Sequence, residues 1–323
     1  MDMNRRQFLE AAAAAAVLPA LGADGAGPKI PTRPFGKSGL TVSSIGFGSG
    51  SRFLMYKTED KAVEALERAI NLGVTYIDTA HSYGDGKSEE WVGTLMPARR
   101  KDVILATKIP GRKADDAKRQ IELSLKRLKT DRLDVLHIHA LAGPDDLKAV
   151  EAPDGVLKAL YKARDEKIVK CIGITCHADP AALRDALERH DFDATQMALN
   201  AALARMVDGK GGMKATRTPV GSFEELALPV ANRKGMGVIA MKVFGQEQIL
   251  PTARLEKLLA YSLSLPVSLT SLGMPKLEFI EQNVALAKAF KPLSPAERRA
   301  ISDGIAAERK VAHREFFRDH LDA

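Results

Sequence analysis

Three residues that can hold or move a proton, Asp78, His81 and Tyr83, lie close together in the segment TYIDTAHSYGDGKSEEWVG. The apolar residues before Asp78 predict a buried strand. The residues from Ser88 onward predict a helix that Ser88 opens, with acidic residues in its first turn. A single cluster of this kind fits a surface turn as well as a catalytic site. The polar residues at the other strand ends distinguish these two interpretations.

Polar side chains also stand at the ends of other predicted strands. The strand ILATK ends with Lys108, and the strand LDVLHIH carries His137 and His139. The later strands end with, or carry, the residues Thr175, Cys176, His177, Gln196, Asn200 and Lys242. Because the carboxyl ends of parallel strands meet at one edge, we expect these groups to converge on one site.

Four of these residues together predict a proton donor beside a polarised oxygen: Asp78, Tyr83, Lys108 and His139. An isolated tyrosine has a pKa of ~10 and is a poor acid near neutral pH. A lysine ammonium beside it stabilises the phenolate, and a carboxylate beside the lysine keeps that lysine charged and in place. An imidazole nearby can orient a carbonyl oxygen. A structural ion pair of Asp78 with Lys108 is the alternative interpretation.

The segments that position these residues alternate between strand and helix. Eight short strands, apolar on both faces and each followed by a helix, predict an α/β fold of the (β/α)8 TIM barrel type. The segment RPFGKSGLTVSS predicts an N-terminal β-hairpin with its turn at residues 37–39, and the tail from Pro295 predicts an extra C-terminal helix. A doubly wound sheet is disfavoured, because no G-x-G-x-x-G follows the first strand.

The same segments resemble the aldo/keto reductases, which are NADP(H)-dependent barrel enzymes. YIDTAHSYGDGKSEEWVG is similar to their Asp-Thr-Ala-x-x-Tyr-Gly signature followed by Ser-Glu, ILATKI to their lysine strand, and RLDVLHIHA to their histidine strand. The resemblance covers residues 33–283 and implies reduction of aldehydes or ketones, or oxidation of alcohols, with a tyrosine as general acid. The catalytic residues that it implies are Tyr83, Lys108, Asp78 and His139.

The resemblance also implies residues that bind the cofactor. Gln196 matches the glutamine that contacts the nicotinamide amide in the family. Where the family has Ser-Asn, this chain has Thr175 and Cys176, so that His177 would take over the polar role of the asparagine. The usual arginine for the adenosine phosphate is missing, although Lys276 is close; NADP(H) is therefore the expectation and NAD(H) the alternative. The remaining implied contacts are Lys242, Gly245, Gly273, Gln282 and Asn283.

The composition is that of an ordinary globular protein. The chain has 323 residues, of which 45% are hydrophobic and 28% charged, so disorder is not expected. Its formal net charge of +7 would suit an anionic partner. However, acidic and basic residues alternate throughout, as in AERRAISDGIAAERKVAHREFFRDH. We therefore predict no nucleic-acid partner.

The first 26 residues predict a leader rather than part of the fold. Paired arginines at Arg5 and Arg6, an apolar stretch from Ala11 to Leu21 and small residues after it resemble a twin-arginine export signal. The apolar stretch is too short for a stable membrane span. We expect one barrel domain over residues 30–323, export machinery as a partner of the leader, and a periplasmic location, or a cytoplasmic one if the leader is unused. An alanine-rich capping helix is the alternative.

Several features carry weaker predictions. Cys171 and Cys176 lie on one strand, too far apart to bridge, and are expected to be free, buried thiols. His137 and His139 face the same way, but a role for His137 in supporting the site is favoured over a metal pair, and no metal is expected. The glycine-rich segment 207–221 is interpreted as a flexible loop over the site.

A barrel that binds a cofactor or partner after export, with little turnover, is the alternative function.

Overall fold

A closed barrel of parallel strands forms the centre of the described part of the chain in the computed structural model. The structure describes residues 29–203, 205–209, 212–216, 221–245, 249 and 253–305, so the predicted leader, residues 1–26, lies outside the described residues. The predicted (β/α)8 fold is confirmed, and an N-terminal hairpin and a C-terminal helix flank the barrel as expected.

The N-terminal hairpin consists of β1 (Thr32–Pro34) and β2 (Thr41–Ser43), which pair antiparallel. Its turn is closed by a hydrogen bond from the Phe35 amide to the Leu40 carbonyl (2.8 Å). Phe35 is fully buried and packs with apolar residues that lie early in the barrel strands, such as Tyr76 and Leu269. The hairpin therefore closes the amino-terminal end of the barrel.

The later strands in chain order are β3 (Ile45–Gly48), β4 (Tyr76–Asp78), β5 (Ile104–Ile109), β6 (Leu133–Ile138), β7 (Val169–Cys176), β8 (Ala194–Ala198), β9 (Arg205–Gly209), β10 (Gly212–Thr216), β11 (Gly237–Met241) and β12 (Leu269–Gly273). Of these, β9 and β10 pair only with each other, antiparallel. The others form the barrel in chain order, and β12 returns to pair with β3. Alternate side chains along each barrel strand point into the barrel, and the others point towards the helices.

The helices among the described residues are α1 (Ser51–Leu54), α2 (Glu59–Asn71), α3 (Lys87–Arg99), α4 (Ala114–Arg127), α5 (Pro144–Val150), α6 (Val156–Asp165), α7 (Pro180–Arg189), α8 (Phe223–Leu226), α9 (Leu228–Arg233), α10 (Leu255–Leu263), α11 (Leu277–Lys288) and α12 (Pro295–Asp303). Capping side chains fix where some of them begin. Asp179 accepts two backbone N–H bonds at the start of α7, and Ser294 with Glu297 forms a capping box at the start of α12. None of the described helices is long and apolar enough to cross a membrane.

Three local predictions differ from the structure. Ser88 does not cap α3, which begins one residue earlier after Gly86; the Ser88 hydroxyl is buried and donates to the Ser49 carbonyl (2.6 Å). Proline is common in the first turn of a helix, so Pro153 in the segment PDGVLKALYKARDEK predicts a helix start there, but the helix begins only at Val156, because residues up to Gly155 form a turn. In the segment 207–221, interpreted from the sequence as a flexible loop over the site, residues 207–209 and 212–216 belong to the paired strands β9 and β10.

The two cysteines are free and buried, as predicted. Cys171 packs inside the barrel with the hairpin residue Val42, whereas Cys176 belongs to the larger apolar layer between strands and helices. Burial raises the pKa of the Cys171 thiol to about 12. Two thiols on opposite faces of one strand cannot form a disulfide with each other.

Candidate active site

Four predicted residues meet at the carboxyl ends of neighbouring strands. Lys108 is the centre of this group. Its Nζ lies 2.9 Å from Asp78 Oδ1, 3.3 Å from the Tyr83 hydroxyl and 2.8 Å from the Thr79 carbonyl. The ring of Tyr83 packs against the ring of His139 edge to face, with centroids 5.5 Å apart. The structure thus brings together an acid, a lysine, a phenol and an imidazole that come from three separate segments of the chain, because Asp78 and Tyr83 share one segment.

The ion pair between Asp78 and Lys108 is buried. Their side chains are 5% and 2% exposed, respectively. The second carboxylate oxygen of Asp78 accepts from Gln196 Nε2 (2.9 Å) and from the Ser271 hydroxyl (3.3 Å). A buried charge needs such partners, because water no longer solvates it. Ser271 was missed in the sequence; the only signal was a serine in the otherwise apolar barrel strand LTSLG.

The loop that carries Tyr83 has an unusual backbone. Gly84, Asp85 and Gly86 follow Tyr83 with φ of 57°, 55° and 95°. Glycine adopts this left-handed region without cost, whereas Asp85 does not. The loop is tied to β5 by backbone hydrogen bonds, including one from the His81 amide to the Lys108 carbonyl (2.9 Å). This local fold turns the Tyr83 hydroxyl towards Lys108.

His139 is held by its backbone from both sides. Its amide donates to the Ile109 carbonyl (3.0 Å), and its carbonyl accepts from Arg112 Nη2 (2.8 Å). The next residue, Ala140, has a positive φ of 54°, and its amide donates to the Thr175 hydroxyl oxygen (2.8 Å). Thr175 therefore supports the turn that follows His139.

A cavity opens at this end of the barrel. Five of the predicted site residues line it: Asp78, Tyr83, Gln196, Lys242 and Gly273. Arg52, Phe244 and Ser271 also line it and were not predicted. A Cβ atom added at Gly50 would lie 3.4 Å from the Tyr83 ring, so glycine at this position keeps space open beside the phenol.

The other predicted cofactor residues do not line this cavity. Gly245 closes a turn by donating its amide to the Lys242 carbonyl (2.8 Å). Lys276 is the exposed residue before α11, while Gln282 and Asn283 lie within that helix. His177 is buried, and the Cys176 thiol next to it donates to the Leu141 carbonyl (3.1 Å). Their roles in binding stay predictions.

His137 lies in the barrel beside Lys108, to which it is paired in the register of β5 and β6. Its side chain is fully buried, and neither ring nitrogen has a hydrogen-bond partner among the described residues. Burial, followed by the charges of Lys108 and His139, holds the pKa of His137 well below 6.5. Within the described ranges, no group of three histidine, cysteine, aspartate or glutamate side chains is placed to hold a metal ion.

The fold and the buried polar cluster define a (β/α)8 barrel with a candidate site at the carboxyl ends of its strands, and comparison with known proteins supplies the family. The model of the aldo/keto reductase family matches residues 44–297, and the chain belongs to that family. A model of the twin-arginine translocation signal sequence matches residues 2–22. Both resemblances predicted from the sequence are thereby confirmed.

Individual relatives cover nearly the whole chain. An uncharacterized oxidoreductase of Bacillus subtilis, YqkF, is 27% identical over an alignment that spans 87% of this chain and 99% of that protein. The holo form of an aldo-keto reductase from Bacillus halodurans superposes with a TM-score of 0.70 at 22% identity, covering 86% of this chain and 97% of the other. An aldo/keto reductase from Klebsiella pneumoniae, solved with NADP and acetate, gives a TM-score of 0.64 at 25% identity, with 86% and 95% coverage.

Proposed function

We propose that this protein reduces aldehydes or ketones, or oxidises the corresponding alcohols, as an NADP(H)-dependent enzyme. One observation carries the proposal: the Tyr83 hydroxyl lies 3.3 Å from the Nζ of Lys108, which is itself ion-paired with Asp78. A phenol beside a fixed ammonium group is a proton donor suited to an oxygen that becomes negative during the reaction.

Each of the four residues has a distinct role in the proposal. When bound, the nicotinamide cofactor supplies the hydride that adds to the carbonyl carbon. Tyr83 donates its proton to the carbonyl oxygen as negative charge develops there. Lys108 stabilises the phenolate that this transfer leaves behind, and Asp78 fixes Lys108 in place. His139, packed against the Tyr83 ring, orients the carbonyl oxygen.

The cavity suits a nicotinamide nucleotide. Gln196 Oε1 is buried and has no hydrogen-bond partner in the described part of the chain, so it can accept from the carboxamide of the nicotinamide. Arg52 and Lys242 line the same cavity and suit the anionic phosphates. The preference for NADP(H) over NAD(H) is supported by the Klebsiella relative, which was solved with NADP. By the family resemblance, the further contacts would come from Thr175, His177, Gly245, Gly273, Lys276, Gln282 and Asn283.

The proposal extends to where the enzyme works. Residues 1–26 would act as a leader for the export machinery and residues 30–323 as one barrel domain. The match of the twin-arginine signal sequence to residues 2–22 supports this division. The enzyme would then meet its small carbonyl substrate in the periplasm.

The test is the variant Tyr83→Phe, measured with NADPH and 4-nitrobenzaldehyde as the probe substrate. Loss of the acid is expected to lower kcat by about 10²–10⁴-fold. The Kd for NADPH, measured by fluorescence titration, is expected to stay unchanged. Tyr161→Phe removes a hydroxyl from helix α6 and serves as the control. A Tyr83→Phe enzyme that turns over at the parent rate would show that the acid assignment is wrong.

A further inference from the structure

Arg127, the last residue of α4, lies under the loop that carries Tyr83. Its Nη1 donates to the His81 carbonyl (3.1 Å) and its Nη2 to the Asp85 carbonyl (3.3 Å). These two carbonyls stand on either side of Tyr83 in the chain. One guanidinium group therefore holds both arms of the loop.

The carboxylate of Glu89 accompanies Arg127 in the interior. Its side chain is 0% exposed, and Oε2 lies 3.4 Å from Arg127 Nη1. Its other oxygen, Oε1, accepts from the Thr107 hydroxyl (2.7 Å), and Thr107 directly precedes Lys108 on β5. The same side chain thus connects the arginine under the Tyr83 loop with the strand that carries Lys108.

The conformation of this loop explains why it needs such support. Asp85 is in the left-handed region with φ of 55°, between two glycines that share it. For a residue with a side chain this conformation is unfavourable, and it persists only when the surroundings impose it. A Cβ atom added at Gly86 would collide with the guanidinium of Arg127, which shows how closely the two groups pack.

We propose that Arg127 and Glu89 are positioning residues that set the distance between the Tyr83 hydroxyl and Lys108. The inference rests on the proposed function, because it assigns to the pair the placement of the general acid. Glu89 neutralises Arg127 in a site from which water is largely excluded, and its bond to Thr107 keeps the loop in register with β5. The hydrogen bonds of the pair reach the two arms of the Tyr83 loop and Thr107 on β5, so the pair acts through the placement of Tyr83.

The variants Arg127→Met and Glu89→Gln test the assignment. A loop shifted by about 1 Å is expected to lower kcat about 100-fold. The Kd for NADPH is expected to stay within twofold of the parent value. Arg127→Lys keeps the charge but cannot reach both carbonyls, and should recover only part of the rate. The matched control is Arg68→Met, which breaks an ion pair whose side chains are 47% and 53% exposed.

Each variant is also made in the Tyr83→Phe background, because a merely structural role predicts a different outcome there. If Arg127 acts through the phenol, Arg127→Met will not slow Tyr83→Phe further. An additional loss of about 100-fold in that background, or a parent rate in the single variant, would overturn the inference. If Tyr83→Phe itself keeps the parent rate, the proposed function fails instead. Should Arg127→Met not fold, the smaller change Glu89→Gln decides, with the melting temperature measured alongside.

Discussion

The two ends of the barrel are built from the same strands but have opposite chemistry. At the amino end, Phe35 from the hairpin packs with Tyr76 and Ala106, and all three side chains are fully buried. At the carboxyl end, two residues further along β4 and β5, the inward positions are Asp78 and Lys108. A step of two residues keeps the side chain on the same face of a strand. Along β4 and β5, the residue that packs against the hairpin and the residue that belongs to the candidate site are therefore two positions apart on the same face of the strand.

This contrast indicates that the two ends should respond differently to substitution. At the carboxyl end, removing one partner affects both catalysis and folding, because the charges there depend on each other. At the amino end, truncation should affect folding only. One substitution at each end, and one at the buried His137 beside Lys108, test this difference.

The largest effect is expected for Lys108→Met at the carboxyl end. The variant leaves the Asp78 carboxylate buried without its cation, and unfolding free energy should fall by about 3–5 kcal/mol. Turnover should fall by about 10²–10⁴-fold, because the phenol loses its ammonium neighbour. Urea denaturation and steady-state kinetics measure the two effects. The double variant with Asp78→Asn should recover stability but not turnover; recovery of both would contradict the catalytic role of Lys108.

An effect on stability alone, without loss of turnover, is expected for Phe35→Ala at the amino end. Phe35 is 0% exposed and lies over Gly237, where a Cβ would meet its ring. The cavity left by the ring should lower the unfolding free energy by about 3–5 kcal/mol. The Kd for NADPH of the folded variant should match the parent value in the same fluorescence titration. Weaker cofactor binding that parallels the lost stability would show that the two ends are coupled.

The smallest effect is expected for His137→Leu, inside the barrel beside Lys108. His137 has a pKa held well below 6.5 in the folded state, so only the unfolded chain takes up its proton just below that pH. The contribution of the neutral His137 to the free energy of unfolding is therefore fully present above pH 6.5 and is lost as the pH falls from 6.5 to 5. The leucine variant lacks this loss. Urea denaturation at both pH values measures it, and an equal loss in parent and variant would be inconsistent with a neutral, buried His137.

The sequence was sufficient for the barrel because periodicity and strand ends are local signals. Short apolar strands such as ILATKI alternate with amphipathic helices, and this order alone indicates a parallel barrel. The residues Asp78, Lys108 and His139 stand out because charged or titratable groups are rare in such strands. Tyr83 could be placed near them because the loop that carries it follows β4 directly.

The contacts of Arg127, Glu89 and Ser88 join segments that are far apart in the sequence, so local sequence patterns do not predict them. Arg127 appears in the sequence as one more basic residue near the end of an amphipathic helix, and only the fold places it under the Tyr83 loop. Glu89 appears as an acid in the first turn of a helix, yet its side chain is fully buried. Ser88 was expected to cap the same helix, because serine is common at helix starts, yet its hydroxyl is buried and donates to the Ser49 carbonyl. In each case tertiary packing overrides the usual role of the residue type.

The barrel can close between its first and last strands only after the last strand has been synthesised. One edge of β3 pairs with the neighbouring strand β4, but its other edge pairs with β12, and Arg33 in the hairpin donates to the Val267 carbonyl, 234 residues later. At typical translation speeds of 5–20 residues per second, the ribosome needs about 10–50 s to synthesise those 234 residues. The segment that matches the signal sequence, residues 2–22, leaves the ribosome before the barrel strands do. Binding partners can therefore reach this segment while the barrel that follows it in the chain is still open.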